Sequence, residues 1–258
     1  MNFKTILFEK ENNIAKITLN NPRTMNALNL DMRLDLLEVF RQIADDDLIK
    51  VVVITGSGKA FCSGGDIRSM EGEIAVSTRV RLKKAQKVTK AMCELEKPII
   101  GAINGFAAGG GCGIALACDI LIASEDAQFI QSFIRIGAIP DMGSYYLLPL
   151  RVGIPKAKEL MFSGDSINAK EAERIGLINK VVTPEKLEEE VFSLARRLAN
   201  GPSQAYAMIK AALNRWPAPL ESFLEIETTM QAVAFSSQDF DEGRRSFIEK
   251  RKPLFQGK

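Results

Sequence analysis

The chain has no histidine, so proton transfer near neutral pH falls to a carboxylate, lysine, tyrosine or cysteine whose pKa its surroundings have moved. Ser-His-Asp and Cys-His catalysis, and most zinc sites, are removed with it. Among the carboxylates, Asp141 has the unusual setting. It follows Pro140 and precedes Met142, Gly143, Tyr145, Tyr146, Leu147 and Leu148. A carboxylate in so apolar a stretch should keep its proton to higher pH than usual, which suits a proton shuttle. The competing role is structural, since an aspartate just ahead of a helix over 143–150 would cap it. Position alone favours the cap. Asp66 and Asp119 lie in loop-like sequence, where satisfying backbone is the simpler role. Glu71 and Glu73 lie in a polar stretch that could border a pocket, with nothing to set their direction.

A second kind of chemistry needs no side chain. Pro98 to Cys118 carries no charge and holds glycines at 101, 105, 109, 110, 111 and 113. The pattern reads as an apolar strand (Ile99, Ile100, Ile103), a glycine run, then a helical segment at Ile114–Ala117. Consecutive glycines cost backbone entropy, so something must approach where a Cβ would block it. A ligand approaching bare N–H groups at a helix start fits, because those donors are unpaired and the dipole favours negative charge. Tight helix–strand packing without function is the alternative. A membrane span is disfavoured by the glycines and the Asn104-Gly105 turn, and neither Gly109-x-Gly111 nor Gly111-x-Gly113 has the third glycine of a dinucleotide fingerprint. Ala60-Phe61-Cys62-Ser63-Gly64-Gly65-Asp66-Ile67 forms another glycine cluster, which lacks the pattern of a phosphate-binding P-loop. With one N–H each from Gly65 and Gly110, the two clusters would hold the enolate or tetrahedral oxyanion of a thioester. Loss of one such donor costs on the order of 3 kcal/mol of transition-state stabilisation.

The elements that must position these groups follow an α/β pattern. Apolar residues around Glu11-Asn12-Asn13 predict a hairpin over 3–9 and 14–20, and Leu34, Leu37, Val39, Phe40 and Ile43 predict a helix over 31–43. Strands are expected at 50–55, 98–103 and 119–124, with a helix basic on one face at 76–96. Two βα units of similar plan thus stand in tandem, each strand ending near a glycine cluster. From Lys156 onward the pattern is mostly helical, with helices at 184–199, 203–214, 219–235 and 238–250 and breaks at Pro202, Pro217 and Pro219. The chain divides into an α/β core over 1–200 and a helical region over 201–258. With 258 residues, 46% of them hydrophobic, it needs no disulfide or metal staple. Cys62, Cys93, Cys112 and Cys118 lack metal or redox spacing and read as buried reduced thiols of a cytoplasmic protein. A net charge of +2 argues against a nucleic-acid binder, and residues 1–10 lack a signal-peptide core.

AFCSGGDI, INGFAAGGGCGIALACDILIAS and FIQSFIRIGAIPDMGSYYLLPLRVG, in that order, resemble the crotonase (enoyl-CoA hydratase/isomerase) superfamily. The likeness runs from NNPRTMNAL to SFIEKRKPLF. It implies a ClpP-like α/β spiral of ββα units with a C-terminal helical trimerisation region, a homotrimer or hexamer, and an acyl-CoA thioester as ligand. No cofactor is implied beyond that CoA, and neither nucleic acid nor membrane insertion. Gly65 and Gly110 match the oxyanion-hole positions. The loop around Ala60, Asp66 and Ile67 matches the segment against the adenine end of CoA. Phe247 and Lys250 match C-terminal CoA contacts, often made across a subunit boundary, with a solvated surface helix as the alternative.

Two departures narrow the reaction. Family hydratases carry glutamates at the positions of Gly113 and Phe133, so the two-glutamate route to hydration is missing. The exchange of a charged pair for space plus an aromatic ring points to an apolar, even cyclic, acyl group, with Phe133 bordering it. The IPD-x-G around Asp141 resembles the ring-epoxide isomerases of phenylacetyl-CoA breakdown, where this aspartate is the acid/base. The 4-chlorobenzoyl-CoA dehalogenases use an aspartate here as nucleophile, but need a histidine this chain lacks. The expectation is an enoyl-CoA isomerase, for a double bond or a ring epoxide in fatty or aromatic acid degradation, with Asp141 as single acid/base. An atypical enoyl- or dienoyl-CoA hydratase and a non-catalytic acyl-CoA-binding protein are the alternatives.

Overall fold

The computed structural model describes residues 3–67, 74–216 and 218–258. Glu71, Glu73 and Pro217 lie outside the described residues. Strands β1 (Ile6–Glu11) and β2 (Ile14–Leu19) pair antiparallel. Asn12 and Asn13, at φ 49° and 64°, make the turn between them, the left-handed pair that matches the twist of a tight hairpin. Helix α1 (Leu30–Asp45) is capped by Asn29, whose side chain accepts the Met32 N–H at 2.9 Å.

Three ββα turns follow. The first is β3 (Val51–Gly56), β4 (Ala60–Cys62) and α2 (Ala75–Glu94). The second is β5 (Ile99–Ile103), β6 (Phe106–Ala108) and α3 (Gly110–Leu116). The third is β7 (Ile120–Ser124), β8 (Gln128–Ile130) and α4 (Ser144–Ser163). In each turn the longer strand enters a six-stranded sheet of order β1-β2-β3-β5-β7-β10, parallel from β2 onward, where β10 is Lys180–Val182. The shorter strand enters a four-stranded sheet of order β4-β6-β8-β9, closed by antiparallel β9 (Ser166–Asn168). Helices α5 (Ala169–Arg174), α6 (Leu187–Ala199), α7 (Ser203–Leu213), α8 (Leu220–Phe235) and α9 (Gln238–Ile248) complete the described chain.

The central strands β3, β5 and β7 are buried on both faces, which is why they read as nearly unbroken apolar runs. Val51, Val53, Ile100 and Ile122 face Leu187, Val191 and Ala195 of α6. Val52, Ile54, Ile99, Ile103 and Leu121 join the main core with Met32, Leu36 and Phe40 of α1 and Ile114 and Leu116 of α3. Helix α7 is tied to this core by Lys210, whose Nζ lies 2.8 Å from Asp119 Oδ2 and donates to the Lys97 carbonyl at 3.0 Å. Asp119 Oδ2 also accepts the Ile99 N–H at 2.7 Å, the backbone role expected of it. All four cysteines are free; Cys62, Cys112 and Cys118 are buried and Cys93 is half-buried. Burial pushes the Cys62 and Cys112 thiols up to about 12.

The hairpin and the helices expected over 31–43, 76–96, 203–214, 219–235 and 238–250 are present within a few residues. Two expectations need correction. Two tandem βα units become three ββα turns, because β4, β6 and β8 have three residues each and are too short to show a period of two. Strand β6 stands between β5 and the glycine run, and α3 begins inside that run, at Gly110. The region after Lys156 is mostly helical as expected and adds the short strands β9 and β10, which pair at the edges of the two sheets.

The segment between β2 and α1 braces the first turn of the spiral. Asn26 is fully buried, and its Nδ2 donates to the carbonyls of Ser57, Ala60 and Phe61 at 2.9, 2.8 and 3.2 Å. Its Oδ1 accepts the Asn21 N–H at 2.9 Å. Asn26→Ala removes a donor from three carbonyls and the acceptor of the Asn21 N–H, and is expected to cost on the order of 3 kcal/mol of stability. A lower urea midpoint with an unchanged slope checks it; an unchanged midpoint would remove the brace from this account.

Candidate active site

The loop after β4 and the start of α3 are pressed together backbone to backbone. A Cβ on Gly111 would stand 2.1 Å from the Cys62 carbonyl oxygen. A Cβ on Gly64, at φ 94°, would stand 2.7 Å from Ala108 O and 3.1 Å from Gly110 N. The Gly64–Gly65 peptide therefore lies alongside the first residue of α3. Its orientation is fixed by Leu28, whose N–H donates to the Gly64 carbonyl at 2.8 Å. In a trans peptide the N–H points opposite the carbonyl, so the Gly65 N–H faces away from Leu28. Gly110 is the first residue of α3, and the first intrahelical bond runs from Gly113 N to Gly109 O at 3.2 Å. Its N–H is thus one of the leading donors that no helical carbonyl accepts. Gly65 is exposed and Gly110 buried, so the two donors sit at a boundary between solvent and core.

Part of the glycine run has a different cause from the one its sequence indicates. Gly111 is required by the protein's own Cys62 carbonyl, which is the packing alternative, and Gly109 by its φ of 49°. Only Gly110 borders a carboxylate. A Cβ there would meet Met142 Cγ at 3.2 Å, Leu28 Cδ1 at 3.3 Å and Asp141 Oδ1 at 3.5 Å.

Asp141 does not cap α4. The N-cap is Gly143, with no side-chain cap hydrogen bond, and Asp141 contributes only its carbonyl, which accepts the Ser144 N–H at 2.9 Å. Its Oδ1 is buried without a hydrogen-bond partner. Burial raises the pKa above the ordinary carboxylate range, opposed by the positive charges of Arg81 and then Arg33. A carboxylate with a buried free lone pair, next to the leading N–H of a helix, is arranged to take a proton from a carbon whose charge those donors can hold.

The position that carries a glutamate in family hydratases is closed. A Cβ on Gly113 would lie 2.7 Å from Met142 Cβ and 2.8 Å from Met142 O. Met142 is buried at 3% exposure and adopts φ 48°, a left-handed conformation unusual for a long side chain. The expectation of open space at Gly113 is therefore corrected: Met142 fills it. Phe133, in the short 3-10 helix Ser132–Ile136, is half-buried, with its Cζ 3.8 Å from the position of a Cβ on Gly109. The structure thus brings Gly65, Gly110, Phe133 and Asp141 around one end of α3.

The remaining site residues lie apart in kind. Ala60 is buried in β4, and its carbonyl is taken by Asn26. Asp66 is partly buried, and Ile67 is 59% exposed. Phe247, at the end of α9, is 86% exposed, and Lys250 is exposed just beyond it. Sequence reasoning missed Leu28 and Met142, which orient the Gly64–Gly65 peptide and cover Gly113. Neither has a chemical signature, although both lie in the quoted motifs. Among the described residues no group of three His, Cys, Asp or Glu is placed to hold a metal ion. No described helix is long and apolar enough to cross a membrane.

Residues 9–258 match the family model of the enoyl-CoA hydratase/isomerases. The chain is 40% identical over 257 residues to the crotonyl-CoA hydratase of Syntrophomonas wolfei, covering 99% of both. It is 34% identical over 261 residues to the 1,2-epoxyphenylacetyl-CoA isomerase of Escherichia coli, covering 98% of both. Its structure matches that of an enoyl-CoA hydratase from Bacillus anthracis with a TM-score of 0.94 at 32% identity, over 99% of this chain and 100% of that one.

Because folding raises the Asp141 pKa, its charge costs stability wherever it is ionised in both states, and the cost vanishes once pH falls below the unfolded value of about 4. Asp141→Asn is therefore expected to melt higher than the parent at neutral pH, with the gap closing as the pH drops towards that value. A lower melting temperature for the variant across the whole range would contradict the strained carboxylate.

Proposed function

The chain belongs to the enoyl-CoA hydratase/isomerase family, and within it we propose an enoyl-CoA isomerase with Asp141 as its single acid/base. One observation carries the reading. The buried, unpartnered Asp141 Oδ1 stands beside Gly110, while the place of a second carboxylate at Gly113 is filled by Met142. Moving a double bond takes and gives one proton, so one carboxylate is enough.

In this reading the thioester oxygen of a 3-enoyl-CoA sits between the Gly65 and Gly110 N–H groups. Asp141 removes a proton from C2, and the electron pair moves into the thioester to give a dienolate whose oxygen the two donors stabilise. Asp141 then returns the same proton at C4, the electron pair closes the bond between C2 and C3, and the product is the conjugated 2-enoyl-CoA. No oxidant, metal or added water enters the balance. A ring-1,2-epoxide of an aryl acetyl-CoA would use the same parts: Asp141 takes the C2 proton, the electron pair forms a double bond to the ring carbon as its C–O bond breaks, and the proton goes to the oxygen so released. Phe133 and Met142 make the wall beside Gly109 and Gly110 apolar, which supports an apolar acyl group. Ala60, Asp66 and Ile67 are assigned to the CoA side, with Phe247 and Lys250 closing over it from a neighbouring subunit. That placement fits the exposure of Phe247 in a single chain and a helix α8 without one buried residue, which exposes Leu220, Leu224, Val233 and Phe235. A trimer or hexamer is therefore expected in sedimentation velocity.

A hydratase reading is favoured by the name of the Syntrophomonas relative. It requires Asp141 to activate a water without a second carboxylate to place it.

The test follows the ultraviolet absorbance of the conjugated thioester. Wild type is expected to convert a 3-enoyl-CoA to the 2-enoyl form, with kcat lower in Asp141→Asn by about 1,000-fold or more. Net loss of that absorbance from a 2-enoyl-CoA, with no conjugation of the 3-enoyl isomer, would replace the isomerase by a hydratase. Binding of CoA thioesters without turnover of either would leave a binding protein.

A further inference from the structure

Asp141 is aimed by a backbone turn that holds two successive residues at positive φ, Met142 at 48° and Gly143 at 82°. Left-handed geometry costs a long side chain energy, and such a turn persists only where its surroundings impose it. Two elements press on it from opposite sides. From α3, Gly113 offers no Cβ, and Met142 Cβ and O lie 2.7 and 2.8 Å from where one would be. From α2, Thr89 donates its Oγ1–H to the Met142 carbonyl at 3.2 Å. Its methyl lies 2.9 Å from the position of a Cβ on Gly143.

Thr89 is only 8% exposed. A threonine inside a helix ordinarily turns its hydroxyl back to its own helix, whereas this one reaches across the core to the carbonyl next to the carboxylate-bearing residue.

We propose that Thr89 and Gly113 are positioning residues for Asp141, acting through Met142. Gly113 admits the Met142 turn, Thr89 clamps it, and the pair holds the Asp141 carboxylate against Gly110. This deepens the isomerase reading and rests on it for the identity of the reaction. It also links the missing glutamate to the retained aspartate: a side chain at Gly113 and the left-handed Met142 compete for one volume.

The test compares Thr89→Val, which keeps the shape and removes the hydroxyl, with Thr89→Ser, which keeps the hydroxyl. Misplacement of a catalytic group by a fraction of an ångström to one ångström lowers the rate by about 10- to 100-fold. Thr89→Val is therefore expected to lose that much kcat on a 3-enoyl-CoA with KM within about twofold. Thr89→Ser is expected to recover most of it. Gly113→Ala approaches the same turn from α3 and serves where Thr89→Val does not fold; it should lower kcat in the same direction.

A second readout does not depend on the reaction. With carboxyl-labelled aspartate, the Asp141 resonance is assigned by its absence in Asp141→Asn, and its titration is followed by carbon NMR in each variant. Arg81 of α2 and Arg33 of α1 are the charged groups acting on it. The described residues of α3 bring no charge, and the first turn of α4 brings Tyr145 and Tyr146, both largely exposed. In Thr89→Val the titration should move down towards the ordinary carboxylate range as the turn opens to water, and in Thr89→Ser it should stay. If wild type does not convert 3-enoyl-CoA but the titration moves as described, the isomerase reading fails and the positioning role stands. If the titration of Asp141 is the same in wild type, Thr89→Val and Gly113→Ala, or if Thr89→Ser behaves as Thr89→Val, the positioning role is overturned.

Discussion

The architecture of the site hangs on one contact, the backbone of α3 lying directly on the backbone of β4. The Cys62 carbonyl occupies the place of a Gly111 Cβ, and a Cβ on Gly64 would crowd Ala108 O at 2.7 Å and Gly110 N at 3.1 Å. No side chain separates the two segments, so the end of one strand and the start of one helix cannot drift apart without opening a void in a close-packed core. Everything the site needs is referred to this contact. Leu28 turns the Gly64–Gly65 peptide, Asn26 holds the carbonyls at the start of β4, and α3 presents Gly110 at a fixed distance from both. In the proposed reading, a pair of N–H donors built in this way loses no entropy when charge develops, which is what makes fixed backbone dipoles effective. Gly111 is thus structural, and its rigidity is what Gly110 uses.

The electrostatics around this frame are uneven. The buried thiols of Cys62 and Cys112 are held protonated at neutral pH, since burial raises both and little opposes it. Asp119 and Lys210 neutralise each other across 2.8 Å and take up backbone groups. Asp141 differs from both. It is desolvated, as the thiols are, but the arginines at 81 and 33 keep its charged form within reach. A group balanced between burial and distant positive charge can exist in either protonation state, whereas a group paired at contact distance cannot. Among the described residues Asp141 is the carboxylate that its surroundings raise, whereas hydrogen bonds lower Glu38, Asp46, Glu171, Glu185 and Glu242.

How much of this was legible beforehand depended on whether a feature had a period or a chemical type. The β1–β2 hairpin and helix α1 announce themselves through Asn12-Asn13 and an apolar stripe from Leu34 to Ile43. Strands β4, β6 and β8 do not, because three residues carry no alternation, and without them the third turn of the spiral is invisible. Asp141 could be picked out from its apolar neighbours, yet its position alone favoured a cap, and the resemblance was what favoured a proton shuttle. Only the placement of Gly143 as N-cap and the unpartnered Oδ1 separate them. The four glycines from 109 to 113 share one composition and have separate causes, a left-handed turn, a carboxylate, a carbonyl and a methionine. Phe247 and Lys250 could be named from the motif, but exposed residues on a terminal helix are given meaning by what covers them, which one chain does not contain.

The loss of two hydratase glutamates looks in sequence like decay of a site, and the packing argues against that. Decay would leave the vacated volume at Gly113 as a void or a water-filled pocket, since nothing selects for its filling. Instead Met142 enters it at the cost of a left-handed backbone, and the carbonyl that this turn exposes is met by Thr89 from another helix. Strain accepted at one residue and satisfied by a buried hydroxyl at a second is the pattern of a site held to a geometry. The carboxylate so held is raised by burial, and it borders Gly110, the one glycine of the run beside a carboxylate. In the proposed reading, the absence of a carboxylate at 113 and its presence at 141 are two ends of one arrangement, in which a second carboxylate would compete for space with the turn that places the first.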